Sequence, residues 1–425
     1  MFFGLIDCNN FFVSCERLFN PDLNGQPVVV LSNNDGCAVS RSNEAKALGI
    51  PMGCPAFKIK EYTQSKVIAI SGNHTLYSDI SHRIMFLLGK EVENIQVYSV
   101  DEAFFTINCD NPDEAYKEAV SLAKKIKHDI GIPVSVGVSW SKTLAKIASH
   151  IAKKKKTESG NTHILIDKDE IRRVLQDTPI EDVWGIGRRL SYDLHKYHVT
   201  TALDFIKLPA SFINAHYSIV TDRVRRELMG ESCTEISSID KGKQSIMTSR
   251  SFGKLVTDKM QVTDAIVNFA SNCCRQLRQQ NSVAESVTVY IRGDVNQPQL
   301  PFYSNKCEIH FQYATCDTME IVNNAITALN SIFREGYFYK KAGVVLGNIS
   351  DRDKRLLDIF HSADESKHNK LMSAIDKINS ANGSNAISLA AARGAGKWSP
   401  RKEHLSKKSN VLHIYSGIIL PEEGH

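Results

Sequence analysis

The chain has 425 residues, 42% hydrophobic and 23% charged, enough for two to four domains at roughly 100–200 residues each, which excludes a peptide hormone, a small disulfide scaffold and wholesale disorder. Lys+Arg 52 against Asp+Glu 47 leaves +5, compatible with basic faces but too mild to establish a polyanionic partner. Ten scattered cysteines without a C-x-x-C pair suggest neither a zinc ribbon nor a secreted disulfide framework, and no apolar run reaches the ~18 residues of a membrane span, so no membrane role and a cytoplasmic location are expected.

Phe2 to Ile6 reads as a buried strand ended by Asp7, too short for a signal peptide, and Phe11 to Leu18 as a short helix. A strand Pro27 to Ser32, a turn Asn33-Asn34-Asp35-Gly36 and a helix Asn43 to Leu48 follow. Thr75 to Gly89 carries helical apolar spacing through Leu76, Ile80, Ile84, Leu87 and Leu88. Ile95 to Val100 and Ala103 to Ile107 form a hairpin candidate with Asp101-Glu102 at its bend. A helix Asp113 to Asp129, a strand Val134 to Ser139 and a helix Lys142 to Ala152 complete an α+β unit.

Beyond the lysine run Lys153 to Lys156, short helical patterns from Asp169 to Leu228 surround Val183-Trp184-Gly185-Ile186-Gly187, and Gly230 to Gln244 reads as a linker. Then come strand Ser245 to Phe252, helix Val262 to Arg278, strands Ser286 to Arg292 and Cys307 to Tyr313, helix Met319 to Phe333 and strand Lys340 to Leu346, a split βαβ order. The remainder, with a Ser/Ala/Gly/Asn-rich stretch Asn379 to Gly396 and a basic stretch Lys397 to Lys408, reads as a loosely packed tail.

Asp7 at one strand end and Asp101-Glu102 at a later bend can converge, and carboxylates gathered without partners repel unless divalent cations neutralise them. Two bridged Mg²⁺ ions are what in-line phosphoryl transfer uses. Each acid alone is more ordinary as a solvated turn residue. Lys154 to Lys156 equally suit a solvated helix C-terminus, and Gly185-Ile186-Gly187 a simple helix stop.

Three strings together, Asp7-Cys8-Asn9-Asn10-Phe11-Phe12, Ser99-Val100-Asp101-Glu102-Ala103-Phe104 and Gly137-Val138-Ser139-x-x-Lys142-x-Leu144-Ala145-Lys146, resemble the Y-family DNA polymerases. Leu31 to Cys37, Glu44 to Gly49, Asp182 to Arg189 and Ser249 to Gly253 resemble the UmuC-like branch of that family, in the same order from residue 1 to about 350. The resemblance implies an α+β right hand: palm 1–24 and 73–166, fingers 25–72, a helical thumb with a helix-hairpin-helix 167–230, a linker 231–244, a βαββαβ little finger 245–350 and a tail 351–425.

It further implies metal ligation by Asp7, Asp101, Glu102 and the Cys8 carbonyl, two Mg²⁺ ions, and a triphosphate cradle from the amides of Asn9, Asn10, Phe11 and Phe12 with Ser40, Arg41, Lys46 and Lys153. Phe12 would be the ring beneath the incoming sugar, a steric gate; a core aromatic is the plain alternative. Asn43 stands where the archaeal branch has Tyr, Lys46 where it has Arg, and His198 where Gly is usual. Gly185, Gly187 and Arg188 would grip a DNA phosphate, and Arg250, with Lys254, Arg275, Arg278 and Arg292, would serve a DNA-straddling little finger.

The implied activity is error-prone, poorly processive, template-directed translesion DNA synthesis of the SOS response, from dNTP to a primer 3′-OH. The implied partners are primer-template DNA, a processed UmuD dimer, a RecA filament and a sliding clamp. For the clamp, Leu357, Ile359 and Phe360 would fill an apolar pocket, with an amphipathic turn packed on its own domain as the alternative. A nucleotidyl cyclase and an inactive DNA-binding scaffold are the competing classes.

Overall fold

The computed structural model describes residues 1–63, 66–154, 161–236, 242–354, 362–382, 386–391 and 402–406. These fall into two compact units, one of residues 1–32, 36–240 and 404–425, the other of 33–35 and 241–403.

The first unit opens with β1 (Phe2–Cys8), α1 (Phe11–Phe19), β2 (Val28–Leu31), β3 (Ala38–Arg41), α2 (Asn43–Ala47), α3 (Ile59–Tyr62), β4 (Ile68–Ser71) and α4 (His74–Glu91). It continues through β5 (Ile95–Val97), β6 (Glu102–Ile107), α5 (Pro112–Asp129), β7 (Val134–Ser139), α6 (Lys142–Lys154) and β8 (Asn161–Leu165). Five short helices close it: α7 (Lys168–Asp177), α8 (Arg188–His195), α9 (Ala202–Ile206), α10 (Ala210–His216) and α11 (Ile219–Leu228).

A five-stranded sheet runs β5-β6-β1-β7-β8, with β1 central and antiparallel to both neighbours. Every residue of β1 is buried because both faces are covered. Phe2 and Ile6 join a core with Leu76, Ile80 and Ile84 of α4 and Ala119 and Leu122 of α5, whereas Phe3 and Leu5 meet Phe104 and Ala145 of α6 on the other side. Helix α6 lies against β7 at backbone distance: a Cβ on Gly137 would stand 2.0 Å from the Ser149 nitrogen and 2.3 Å from the Ala145 carbonyl oxygen.

The small sheet β3-β2-β4 joins an antiparallel and a parallel pair around Val29, Leu31, Ala38, Ala45 and Ile50. The sequence reading lacks β3, β4 and β8, because four or five residues hold too little alternation to stand out. The strand expected over Ile95 to Val100 stops at Val97, and Tyr98 and Ser99 fold back so that both amides reach the Glu102 carbonyl.

Among α7 to α11, Gly185 has φ +93°, and an added Cβ would lie 2.8 Å from Val224 Cγ2, so glycine is required there on two counts. His198 also takes a left-handed φ of +58°, the backbone that the usual glycine would adopt without strain, and Val199 N–H closes the turn on the Leu194 carbonyl at 3.3 Å. Thr201 and Asp204 form a reciprocal capping box at the start of α9.

The second unit contains β9 (Ile246–Val256), α12 (Lys259–Gln279), β10 (Ser282–Gly293), β11 (Ser304–Thr315), α13 (Thr318–Ile332), β12 (Tyr339–Gly347), β13 (Ser350–Asp351) and α14 (Ser362–Asn382). The antiparallel sheet runs β11-β10-β12-β9, and its apolar positions Val287, Val289, Ile291, Val344 and Leu346 pack with Ile266, Phe269 and Cys273 of α12 and Ala325 and Leu329 of α13.

The expected loose tail is corrected here. Helix α14 buries Met372, and Asp376 receives a bidentate pair from Arg278 at 2.7 and 2.9 Å. Asn379 exchanges side-chain hydrogen bonds with the Ile387 backbone at 3.0 and 2.8 Å, and Leu389 packs on the same core. Helix α14, most of which precedes the small-residue stretch, is held by a charged anchor that local composition does not reveal. Leu357, Ile359 and Phe360 lie outside the described residues.

Candidate active site

The β1–β6 register sets Asp7 directly opposite Glu102, so the two carboxylates share one face of the sheet. Asp7 is 5% exposed. Burial first, then the hydrogen bond with Glu102, pushes its carboxyl up to about 7, against the pull of Lys153. Glu102 also suffers desolvation, but the bond from Asp7 and the Lys146 ammonium outweigh it and hold its carboxyl low. The two carboxyls therefore titrate apart, with Asp7 the more readily protonated of the pair.

Helix α6 supplies the cations: Lys146 Nζ lies 2.6 Å from Glu102, and Lys153, two turns on, pairs with Asp7. Lys146 also lies over the ring of Tyr98, whose hydroxyl accepts a hydrogen bond from Trp184 Nε1 at 2.9 Å. Lys142 has a different part, tying β5 to the segment after α11 through Gln96 and the Glu235 carbonyl, both at 2.7 Å.

Asp101 precedes β6 by one residue, and its carboxylate accepts from Ser99 Oγ at 2.6 Å, while its carbonyl receives the Cys8 N–H at 2.8 Å. Among the described residues no three His, Cys, Asp or Glu side chains are gathered into a ready metal site. The expected convergence thus holds for Asp7 and Glu102, and Asp101 stands tied to Ser99 beside them. Two carboxyls on one face of the sheet present hard oxygen donors of the kind a divalent cation takes, and a bound cation would compete with the two lysines for them.

At the start of α1, Asn10 takes a left-handed φ of 49°, and its amide side chain donates to Asn43 Oδ1 at 3.0 Å. The first N–H groups of the helix, those of Phe11 and Phe12, have no acceptor within it, and Val13 N–H reaches only Ser40 Oγ at 3.5 Å. Asn9 is corrected: its N–H is engaged by the Pro133 carbonyl at 2.8 Å and its side chain by Ser135, so it braces β7 rather than offering a free amide.

Burial first, then the charges of Arg41 and Lys153, lower the Lys46 ammonium, which places these three cations close together. Arg41 donates to the Ile50 carbonyl at 2.5 Å, while its buried Nε has no hydrogen-bond partner. A cationic group that repels itself beside free helix amides is an arrangement an anion relieves.

Phe12 is half-buried and stacks on Tyr77 with centroids 4.4 Å apart at 14°, edge-on to His74 at 5.9 Å. The buried Tyr77 hydroxyl donates to Glu16 at 2.6 Å. The sequence reading missed this platform: Tyr77 and Glu16 lie 61 positions apart, and only the approach of α1 to α4 joins them. Gly185, Gly187 and Arg188 all sit exposed at the start of α8, where Gly187 is the cap residue. Arg250 and Arg292 are exposed, whereas Arg278 is engaged by Asp376, Thr318 and the Cys316 carbonyl within its own unit.

Residues 6–150 match the impB/mucB/samB family and residues 243–359 its C-terminal domain. Protein UmuC of Salmonella typhimurium is 37% identical over 412 residues, covering 96% of this chain and 97% of that protein. The chain belongs to the impB/mucB/samB family. Protein ImpB of Salmonella typhimurium is 35% identical over 95% of this family member and 96% of its own length, and DNA polymerase IV of Streptococcus pyogenes serotype M28 is 28% identical over 68% and 79%. In structure the family member matches the Y-family DNA polymerase chimera Dbh-Dpo4(243-245)-Dbh with a TM-score of 0.64 at 22% identity, over 83% of this chain and all (100%) of that one. The fold is the Y-family polymerase right hand.

Proposed function

We infer that this chain is a template-directed DNA polymerase of the translesion class, an enzyme that transfers a nucleotide from a dNTP to the 3′-OH of a DNA primer. Family membership and fold support the class. The observation that carries the site assignment is the adjacency of the facing carboxyls of Asp7 and Glu102 to the cations Arg41, Lys46 and Lys153.

Asp7, Glu102 and Asp101, with the Cys8 carbonyl, would hold two Mg²⁺ ions. Bound divalent cations supply charge neutralisation and activation of the attacking oxygen in phosphoryl transfer. The amides of Asn10, Phe11 and Phe12, with Ser40, Arg41, Lys46 and Lys153, bind and orient the triphosphate. Phe12, held flat on Tyr77, excludes a 2′-OH by its bulk. Gly185, Gly187 and Arg188 contact a DNA phosphate, and Arg250 a second stretch of backbone, without reading bases.

The small core of the β3-β2-β4 sheet supports low fidelity, since little mass is available to close over a nascent pair. A cytoplasmic SOS enzyme working with a UmuD dimer, a RecA filament and a sliding clamp is the family reading. Among the described residues no helix is long and apolar enough to cross a membrane. Primer extension with Mg²⁺ tests the assignment: templated incorporation is expected, whereas cyclisation of a nucleoside triphosphate, or DNA binding without synthesis, would establish one of the competing classes.

A further inference from the structure

The β3-β2-β4 sheet ends on β4, an edge strand whose outer backbone groups need partners. Gly72 N–H turns inward to the Leu31 carbonyl of β2 at 3.1 Å, so the preceding Ser71 N–H faces the free edge. There it donates to the His404 carbonyl at 2.8 Å, and His404 N–H returns a bond to Ser71 Oγ at 3.0 Å. Ser71 is 1% exposed, and a backbone N–H at that depth is costly to leave unpaired. Two residues on, the Ser406 side chain acts on Glu16 and favours its ionised form.

These contacts bear on the nucleotide platform from two sides. Glu16 is the acceptor of the Tyr77 hydroxyl, and Tyr77 carries the Phe12 ring. Ser71 leads through Gly72 into Asn73, whose side chain caps α4 by accepting from Leu76 N–H at 3.2 Å, and α4 carries His74 and Tyr77. Residues 369–409, which include this segment, match a domain of unknown function.

We propose that His404–Ser406 is a strap that docks on the β4 edge and on Glu16 and positions the Tyr77 platform beneath Phe12, so that the tail sets how strictly the site selects the sugar of its nucleotide. The sugar readout rests on the polymerase reading above; the docking does not. The strap touches no reacting atom, so its residues are positioning residues.

The full-length protein is compared with His404→Pro, which removes the N–H donated to Ser71, and with Ser406→Ala and Ser406→Thr. In hydrogen exchange, His404→Pro speeds the Ser71 amide by about tenfold, the scale of one lost hydrogen bond, while Val136 in the core of β7 is unchanged. In single-nucleotide incorporation, His404→Pro and Ser406→Ala raise KM for the dNTP about threefold or more with kcat nearly constant, and shift the ribo-to-deoxy ratio upward. Ser406→Thr, which keeps the hydroxyl, restores wild-type values. Unchanged Ser71 exchange in His404→Pro would overturn the docking, and identical behaviour of Ser406→Ala and Ser406→Thr would overturn the coupling to Glu16. Accelerated Ser71 exchange in a protein that extends no primer would uphold the docking and sink the polymerase reading instead.

Discussion

Two ion-paired centres, one in each unit, differ in how completely their charges are satisfied. Arg278 meets Asp376 through both oxygens and spends its remaining donors on Thr318 and the Cys316 carbonyl. Asp7 and Glu102 instead face each other across a strand pair and receive one lysine each. A bidentate pair fastens an element, whereas two facing carboxyls, each held by a single lysine, leave oxygen lone pairs that a cation can occupy. Burial and charge pairing look alike in both places; the number of satisfied lone pairs and donors tells them apart.

The widest separation should come from Glu102→Ala or Asp101→Ala. Each is expected to lower incorporation by at least about 10³-fold, the scale of a lost transition-state interaction, with primer-template binding largely kept and chelation of Mg²⁺ reproducing the loss. Incorporation within about tenfold of wild type, a change of only ~1.4 kcal/mol in the barrier, would end the assignment.

At the other centre, Arg278→Ala should cost roughly 3 kcal/mol by leaving Asp376 half-buried and unpaired, read by chemical denaturation, with the chemical step untouched. The double change Arg278→Met with Asp376→Leu should recover most of that loss. If Arg278→Ala instead left stability alone and abolished DNA binding, Arg278 would belong to the interface after all.

Phe12 lies in the same unit as the acid pair. Phe12→Ala should raise ribonucleotide over deoxyribonucleotide incorporation by about tenfold, since removing a steric block admits the 2′-OH without altering the acids. An unchanged ratio together with lowered stability would mark Phe12 as a core ring.

A smaller effect follows from pH. Because the folded protein keeps the Asp7 proton up to about 7, above the ordinary carboxylate range, it binds protons more tightly than the unfolded chain through that window. Stability of the metal-free protein should therefore fall as pH rises from about 4 to 7, and Asp7→Asn should flatten that slope. A slope unaffected by Asp7→Asn would place the proton elsewhere.

Least of all, His198→Gly should raise stability by no more than about 1 kcal/mol, relieving the left-handed backbone but adding freedom to the unfolded chain. A loss on thermal unfolding would show that the His198 side chain does more than occupy a turn.

The four-stranded sheet of the second unit and its helices α12 and α13 were legible, because these long elements each carry enough turns or alternations for the pattern to stand above chance. The short strands β3 and β4 were not, and neither was helix α14, whose anchor Asp376 has its meaning only beside Arg278, 98 positions earlier. The same limit applies inside the site. Asp7, Asp101 and Glu102 stand out as residues, and the motifs around them name their chemistry.

Residue identity and local periodicity thus determined which groups this protein has for its chemistry and which segments are helix or strand. Tertiary structure alone decided that Asp7 faces Glu102 while Asp101 turns to Ser99, that Lys146 and Lys153 reach the acids from one helix, that Asn9 is spent on Pro133, and that Tyr77 lies beneath Phe12. Strand register and helix placement are set by burying apolar faces over the whole sheet, and a one-residue slip of β1 would send Asp7 to the opposite face from Glu102 without changing a letter of the local sequence.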